Sequence, residues 1–336
     1  MQKQQPGKIL IIQTAFIGDV VLATPLIEAL SAAFPQAKID FLLRKGNESL
    51  LQAHPKLNEV LIWDKKQNKS RNLMALIRRI RKRHYDAVFN AQRFFSSGLI
   101  TALSGANYTA GFDKNPLSFR FDFRVQHEIS AEGSKHETER NLQLISEFVP
   151  NAKAPVRLYP TQQDYQKVAE YQKDPYLVIA PASVWFTKQY PVSKWVEFIK
   201  SVGNAYKIYL TGAASDDSIA EEIIRKSECS NCINLCGKLR MLETAALMEQ
   251  AAMNYVNDSA PMHFASAVNA KTCAIFCSTV PQFGFGPLSE HSTVVEISEK
   301  LACRPCGLHG KKECPEGHFD CAMKINNQDL LSALAK

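Results

Sequence analysis

Four consecutive apolar residues, Ile9 to Ile12, end at a short polar turn, after which apolar positions recur with helical spacing. A continuous rather than alternating run predicts a parallel strand covered on both faces. Gly18 then allows a close backbone turn, and Leu22, Leu26, Ala29 and Ala33 mark one face of a helix. Pro25 is tolerated only in a first turn, so the helix starts near Thr24, or starts at Asp19 with a kink. Either way Asp19 stands at the carboxyl end of the first strand, where open α/β sheets carry ligands and catalytic groups. Taken alone, it reads equally as a helix N-cap.

The same alternation continues. Strands are predicted at 38–43, 59–63, 86–90 and 109–112, and helices at 50–54, across the basic stretch after Trp63, at 98–103 and through His136, Arg140 and Asn141 to about 148. Residues 115–124 read as a loop rich in aromatics and arginine. Prolines at 150, 155 and 160 without an apolar period mark a linker, and beyond it the pattern starts again. Strands are expected at 176–180, 207–211, 233–235, 253–257, 272–276 and 293–297, with helices at 193–202, 217–226, 241–251, 261–268 and 328–335. Strands alternating with helices of this length predict two doubly wound parallel-sheet domains of Rossmann-like α/β type, facing a cleft. The boundaries expected are 1–152, 153–325 with a Cys-rich tail, and 326–336 as a helix packing back on the first domain.

Composition refines this picture. With 336 residues, 46% hydrophobic and 22% charged, the chain reads as an ordinary globular protein of two domains. No apolar stretch approaches the roughly 20 residues of a membrane span, and the first seven residues are polar with no apolar signal core behind them. A cytoplasmic location is therefore expected. Part of the net charge of +7 is local: Lys65, Lys66, Lys69, Arg71, Arg78, Arg79, Arg81, Lys82 and Arg83 oppose an apolar stripe of Leu73, Leu76, Ile77 and Ile80. Such a helix is either a solvated face or a surface for an anionic membrane. Nucleic acid is not expected, because no stacking aromatics are interleaved with the charges. Among nine cysteines, Cys303, Cys306, Cys314 and Cys321 have the spacing C-x2-C-x7-C-x6-C, compatible with a structural zinc, with reduced thiols or a surface disulfide as alternatives.

Four motifs occur in register: IGDVVLATPLIEAL at 17–30, YDAVFNAQ at 85–92, PASVWFTKQYP at 181–191 and NDSAPMH at 257–263. Together they resemble the ADP-heptose:lipopolysaccharide heptosyltransferases, glycosyltransferase family 9, over essentially the whole chain. The resemblance implies a GT-B fold, with the acceptor held by the first domain and the nucleotide sugar by the second. It implies inverting, metal-independent transfer of heptose from ADP-heptose to the inner core of lipopolysaccharide or a lipid A precursor, at the inner face of the inner membrane.

In that chemistry Asp19 is the general base and Lys188 the cation that meets the departing diphosphate. The resemblance places Ser183, Thr187, Lys188, Thr211, Gly212, Asp216, Asp258, Ser259, Ala260 and His263 around the donor. Asp258, Ser259 and Ala260 would present backbone N–H groups to an anion, and Asp216 would meet a ribose hydroxyl. Gly18, Gln92, Arg93, Arg120 and Arg124 fall on the acceptor side, the arginines matched to carboxylates or phosphates. Two positions depart from the family pattern: Ala260, where glycine is usual, and Asn90, where many relatives carry aspartate. No cofactor is expected for catalysis. Another nucleotide sugar or glycan acceptor would suit the same fold. A dehydrogenase would need a G-x-G-x-x-G after the first strand and an acidic ribose partner, and neither is present. A silent binding protein would have no use for both Asp19 and Lys188.

Overall fold

The computed structural model describes residues 5–65 and 68–335, so Lys66 of the basic cluster and the first four residues of the polar start lie outside the described residues. The chain forms two compact units, one comprising residues up to Ile129 with Lys135–Tyr159, the other Ser130–Ser134 with Pro160 onward. The first holds β1 (Lys8–Ile12), β2 (Lys38–Arg44), β3 (Glu59–Trp63), β4 (Ala87–Asn90), β5 (Tyr108–Phe112) and β6 (Phe123–Val125), in the spatial order β3-β2-β1-β4-β5-β6. The second holds β7 (Tyr176–Ala180), β8 (Lys207–Leu210), β9 (Cys232–Asn234), β10 (Met253–Asn257), β11 (Thr272–Phe276) and β12 (Ser292–Glu296), in the order β12-β11-β10-β7-β8-β9. All neighbouring strands are parallel.

Counted along each unit's own chain, both sheets have the doubly wound order 3-2-1-4-5-6. The order reverses between β1 and β4 and again between β7 and β10. There the connecting helices leave toward opposite faces, and the carboxyl ends of two adjacent strands stay open. The central strands are apolar because both faces are covered: Ile9 to Ile12 and Leu177 to Ile179 are fully buried.

Several elements differ from expectation. The expected helix start near Thr24 holds, with helix Thr24–Ala33, but a separate short helix, Ile17–Leu22, precedes it across a break at Ala23. Pro25, in the first turn of the second helix, has no N–H to donate, and the Thr24 hydroxyl instead bonds the Val21 carbonyl at 2.7 Å. Ala33 lies exposed, off the expected apolar face. The supposed helix at 50–54 is a single 3-10 turn, Glu48–Leu50. Part of the expected loop at 115–124 pairs with β5 as edge strand β6. A capped helix, Gln162–Val168, fills a stretch for which no element was expected, its Thr161 side chain accepting from the Asp164 N–H.

The linker does not hang free. Val156 and Leu158 are buried, Arg157 donates its N–H to Thr24 Oγ1 at 3.0 Å, and Tyr159 donates its hydroxyl to Glu28 at 2.9 Å. These bonds carry the first unit to Tyr159 rather than to 152. Residues 130–134 join the second unit through Ser134, whose N–H and hydroxyl both bond the Gln282 carbonyl at 3.1 Å. The last helix, Asn327–Leu334, also departs from expectation: its apolar face is taken up by the second unit, not the first. Leu330 and Ala333 are buried in that unit's core, Tyr190 donates to Asn327 at 2.7 Å and Tyr255 donates to the Leu330 carbonyl at 3.0 Å.

Glu28 ties the first unit together. Burial opposes its charge, yet the His54 ring 3.4 Å away and hydrogen bonds from Lys56 and Tyr159 hold its carboxyl down at about 2. A folded pKa below the unfolded one gives stability that is present above about pH 4.5 and lost as pH falls toward about 2. We therefore expect Glu28→Gln to lower stability by roughly 1–3 kcal/mol near neutral pH, with the difference from wild type shrinking below pH 4 in urea titrations run across pH.

Candidate active site

In the first unit, Asp19 sits at the third position of helix Ile17–Leu22, just past β1, and its Oδ2 accepts the Phe16 N–H at 3.2 Å. Asp19 is therefore not the N-cap, which is Phe16, but the third helical residue, whose half-buried carboxylate reaches back to the N-cap backbone at the carboxyl end of β1. Burial, reinforced by the nearby negative charge of Glu137, pushes Asp19 up to about 6 against the opposing pull of the Phe16 N–H and Arg93. Glu137 is itself locked: Arg140 Nε donates to it at 2.6 Å and His127 Nε2 lies 3.2 Å away. Asn141, on the same helix (Glu137–Gln143), donates to the Leu22 carbonyl at 3.0 Å. One helix therefore supplies both the charge that tunes Asp19 and the bond that fixes its helix. The sequence reading singled out His136, Arg140 and Asn141 in this stretch but missed Glu137, which nothing distinguishes locally from a surface glutamate.

Gly18 is the second residue of the same short helix. Across the reversal point, Gln92 follows β4, its Oε1 accepting from Thr14 Oγ1 at 2.7 Å, and Thr14 in turn accepts from Lys65 at 3.1 Å. Among the described residues, the buried amide nitrogens of Asn90 and Gln92 have no hydrogen-bond partner. Such donors fit a hydroxyl-rich or anionic ligand, since burial without a partner costs about 1–3 kcal/mol. Lys65, which the sequence reading treated only as a basic-helix charge, lies over the Trp63 ring and is pulled down to about 8 by burial and by Arg44 and Lys69. Arg93 is near enough to act on Asp19. Arg120 and Arg124 are both exposed, and Arg124 lies on edge strand β6, three strands from β1 or about 14 Å across the sheet, which sets it apart from Asp19.

In the second unit, the loops after β7 and β10 meet. Lys188 Nζ lies 2.7 Å from Asp258 Oδ2, which also accepts the Thr279 hydroxyl at 2.6 Å. Asn257 binds the two loops together, accepting the Tyr190 N–H at 2.9 Å and donating to the Pro181 carbonyl at 2.8 Å. Ser259 and Ala260 open helix Ala260–Ala267, but Pro261 in its first turn has no N–H and the Met262 N–H donates to the Ser259 carbonyl at 3.1 Å, which leaves few backbone donors for an anion. The Asp258 N–H does not join them, because it donates to the Ile275 carbonyl at 3.2 Å. His263 is buried one turn on.

Thr187 is a second correction. Its hydroxyl is buried and accepts from the Lys311 N–H at 2.7 Å and from Ser278 at 3.0 Å, which leaves it holding the loop rather than facing a phosphate. Ser183 is half-buried, and its carbonyl accepts from Gln189 at 2.7 Å. After β8, Thr211 keeps a buried hydroxyl with no partner among the described residues. Asp216 closes its own turn by accepting the Ala213 N–H at 2.8 Å, and a Cβ at Gly212 would lie 2.7 Å from that carboxylate.

The four tail cysteines expected as zinc ligands stand near one another. Cys321 is pushed up to about 12 by burial and then by Cys306, Cys314 and Cys303, so the thiols lie in one another's field. Among the described residues, however, no group of three or more His, Cys, Asp or Glu side chains converges as metal ligands, and all nine cysteines are free thiols.

The family model described as Glycosyltransferase family 9 (heptosyltransferase) matches residues 73–318. Lipopolysaccharide heptosyltransferase 3 of Escherichia coli K12 is 27% identical over 276 residues, covering 78% of this chain and 80% of that protein. Among solved structures, a family 9 glycosyl transferase from Veillonella parvula superposes with a TM-score of 0.86 at 18% identity, covering 100% of this chain and 98% of that one. The E. coli ADP-heptose lps heptosyltransferase II gives 0.77 at 20% identity, over 98% and 97% of the two chains. The fold is accordingly GT-B, two Rossmann-like units of identical strand order, and the chain belongs to glycosyltransferase family 9, the heptosyltransferases.

Proposed function

We propose that this protein transfers heptose from ADP-heptose to the inner core of lipopolysaccharide, with inversion and without a metal. The observation that carries the reading is Asp19: a carboxylate at the end of β1, pushed up to about 6 by burial and Glu137, is poised to take a proton near neutral pH. Asp19 removes the acceptor hydroxyl's proton while that oxygen bonds to the anomeric carbon. The bond from that carbon to the diphosphate oxygen breaks on the opposite face, and its electron pair leaves with ADP. Lys188, held by Asp258 at 2.7 Å, supplies positive charge to the departing diphosphate. The acceptor is assigned to the first unit, where Asn90 and Gln92 have unpaired donors, and the nucleotide to the second. The donor assignment is supported by the solved relative named as an ADP-heptose enzyme, and the acceptor class by the relative named as a lipopolysaccharide enzyme.

We further place the protein in the cytoplasm against the inner membrane. Among the described residues, no helix is long and apolar enough to cross a bilayer. Helix Lys69–Arg81 buries Leu73, Leu76, Ile77 and Ile80 and exposes Lys69, Arg71, Arg78 and Arg81. Two of its expected membrane cations are otherwise engaged, Arg79 with Glu59 at 2.6 Å and Arg83 with Asp40 at 3.0 Å. Phe94 and Phe95, after β4, and Phe119, after β5, are exposed in the same unit and give a lipid surface apolar contact.

Four outcomes are expected. ADP and ADP-heptose raise the melting temperature, while UDP and NAD do not; a shift with UDP or GDP sugars would keep the fold and mechanism but overturn the donor, and a shift with NAD alone would sink the transferase reading. Asp19→Asn lowers kcat by roughly 10²–10⁴ and keeps the ADP-induced stabilisation. Because the base must be ionised, wild-type kcat/KM falls about tenfold per pH unit below about 6, and this acid limb is absent in Asp19→Asn. Sedimentation with anionic vesicles falls as salt is raised, and equal binding to neutral vesicles would contradict the membrane assignment.

A further inference from the structure

Lys188 is a long, flexible side chain, and a cation that must meet a diphosphate at one moment of a reaction gains from being held. We propose that the segment from Arg304 to Lys311, inside the Cys-rich tail, is a brace that positions Lys188. The proposal rests on the reading of Lys188 as the cation facing the nucleotide's diphosphate.

The brace grips the residue before Lys188 and the carboxylate beyond it. Thr187 donates its N–H to the Lys311 carbonyl at 3.1 Å, and its hydroxyl accepts the Lys311 N–H at 2.7 Å. Ser278 holds the other side, donating its hydroxyl to the Thr187 hydroxyl at 3.0 Å and its N–H to the Thr187 carbonyl at 3.2 Å. Gly310, at φ +74°, lies against the lysine stem itself: a Cβ there would fall 2.9 Å from Lys188 Cγ and 3.3 Å from Cδ. At the far end, the ammonium meets Asp258, and Asp258 is held by the Thr279 hydroxyl. Arg304 closes the circuit, donating to the carbonyls of Thr279 and Cys277 at 2.7 Å and to Glu296 at 2.6 Å, while the Cys306 N–H bonds the Ser278 carbonyl at 2.8 Å. The residue before the lysine, the lysine's stem and its ammonium are thus each fixed by groups that the tail carries or orders.

The same loop contains its own control. Gly307 has the same φ of +74° as Gly310, but a Cβ there would meet nothing within 4 Å. Alanine at either position bears the same backbone strain, and only Gly310→Ala crowds Lys188.

The test is ADP affinity, measured by titration calorimetry on the full chain. Gly310→Ala and Thr187→Val should each weaken ADP binding roughly tenfold, Gly307→Ala less than about twofold, and Thr187→Ser, which keeps the hydroxyl, should restore wild-type affinity. In a Lys188→Met background neither brace substitution should weaken binding further. Additive losses in that background, or equal losses in Gly310→Ala and Gly307→Ala, would overturn the brace. If Gly310→Ala does not fold, the Thr187→Val and Thr187→Ser pair decides the matter alone. If Lys188→Met weakens ADP while the brace substitutions do not, the nucleotide assignment stands and the brace falls. If wild type does not bind ADP, the assignment and the brace fall together.

Discussion

A wholly parallel sheet must run its connections over both faces, and at the strand where those connections part, no helix covers the carboxyl ends. Everything chemical in this chain hangs on that constraint. It operates twice, between β1 and β4 and between β7 and β10, because both units share one strand order. Asp19 and Gln92 come from the first pair of ends, Lys188 and Asp258 from the second. Residues far apart in sequence become neighbours there: seventy positions separate Lys188 from Asp258, yet their charged atoms lie 2.7 Å apart.

The two reversal points treat their charged groups differently. In the first unit a carboxylate is kept half-buried beside another negative charge, Glu137, which makes it more basic than an ordinary aspartate. The cost of burying Glu137 is offset by Arg140 and His127, so the tuning group is itself kept ionised and fixed. In the second unit the cation is paired and held from three sides, and the segment that holds it is the Cys-rich tail. That tail packs directly against the loop that carries Lys188.

The linker and the last helix show how tertiary contacts decide domain membership. Three prolines give 150–160 the look of an independent spacer, but Val156 and Leu158 are apolar residues that find room against the first unit, and Tyr159 finds Glu28. The terminal helix presents Leu330 and Ala333, which any exposed apolar surface could have accepted, and the second unit's core takes them.

The sequence by itself determined the alternation of strands and helices, the repeat of the whole pattern and the placing of Asp19 and Lys188 at strand ends. Those features follow from local period, from proline and glycine, and from unbroken apolar runs such as Ile9 to Ile12, which are central strands wherever they pack. It did not determine edge strand β6, whose three residues gain their conformation only by pairing with β5. Nor did it reveal Glu137 as the group that tunes Asp19, the commitment of the Thr187 hydroxyl to Lys311, or Gly310 as the wall behind Lys188. Each of these is a contact between segments with no shared local period, separated by more than 100 residues in all three cases, so only the folded chain brings the partners within reach.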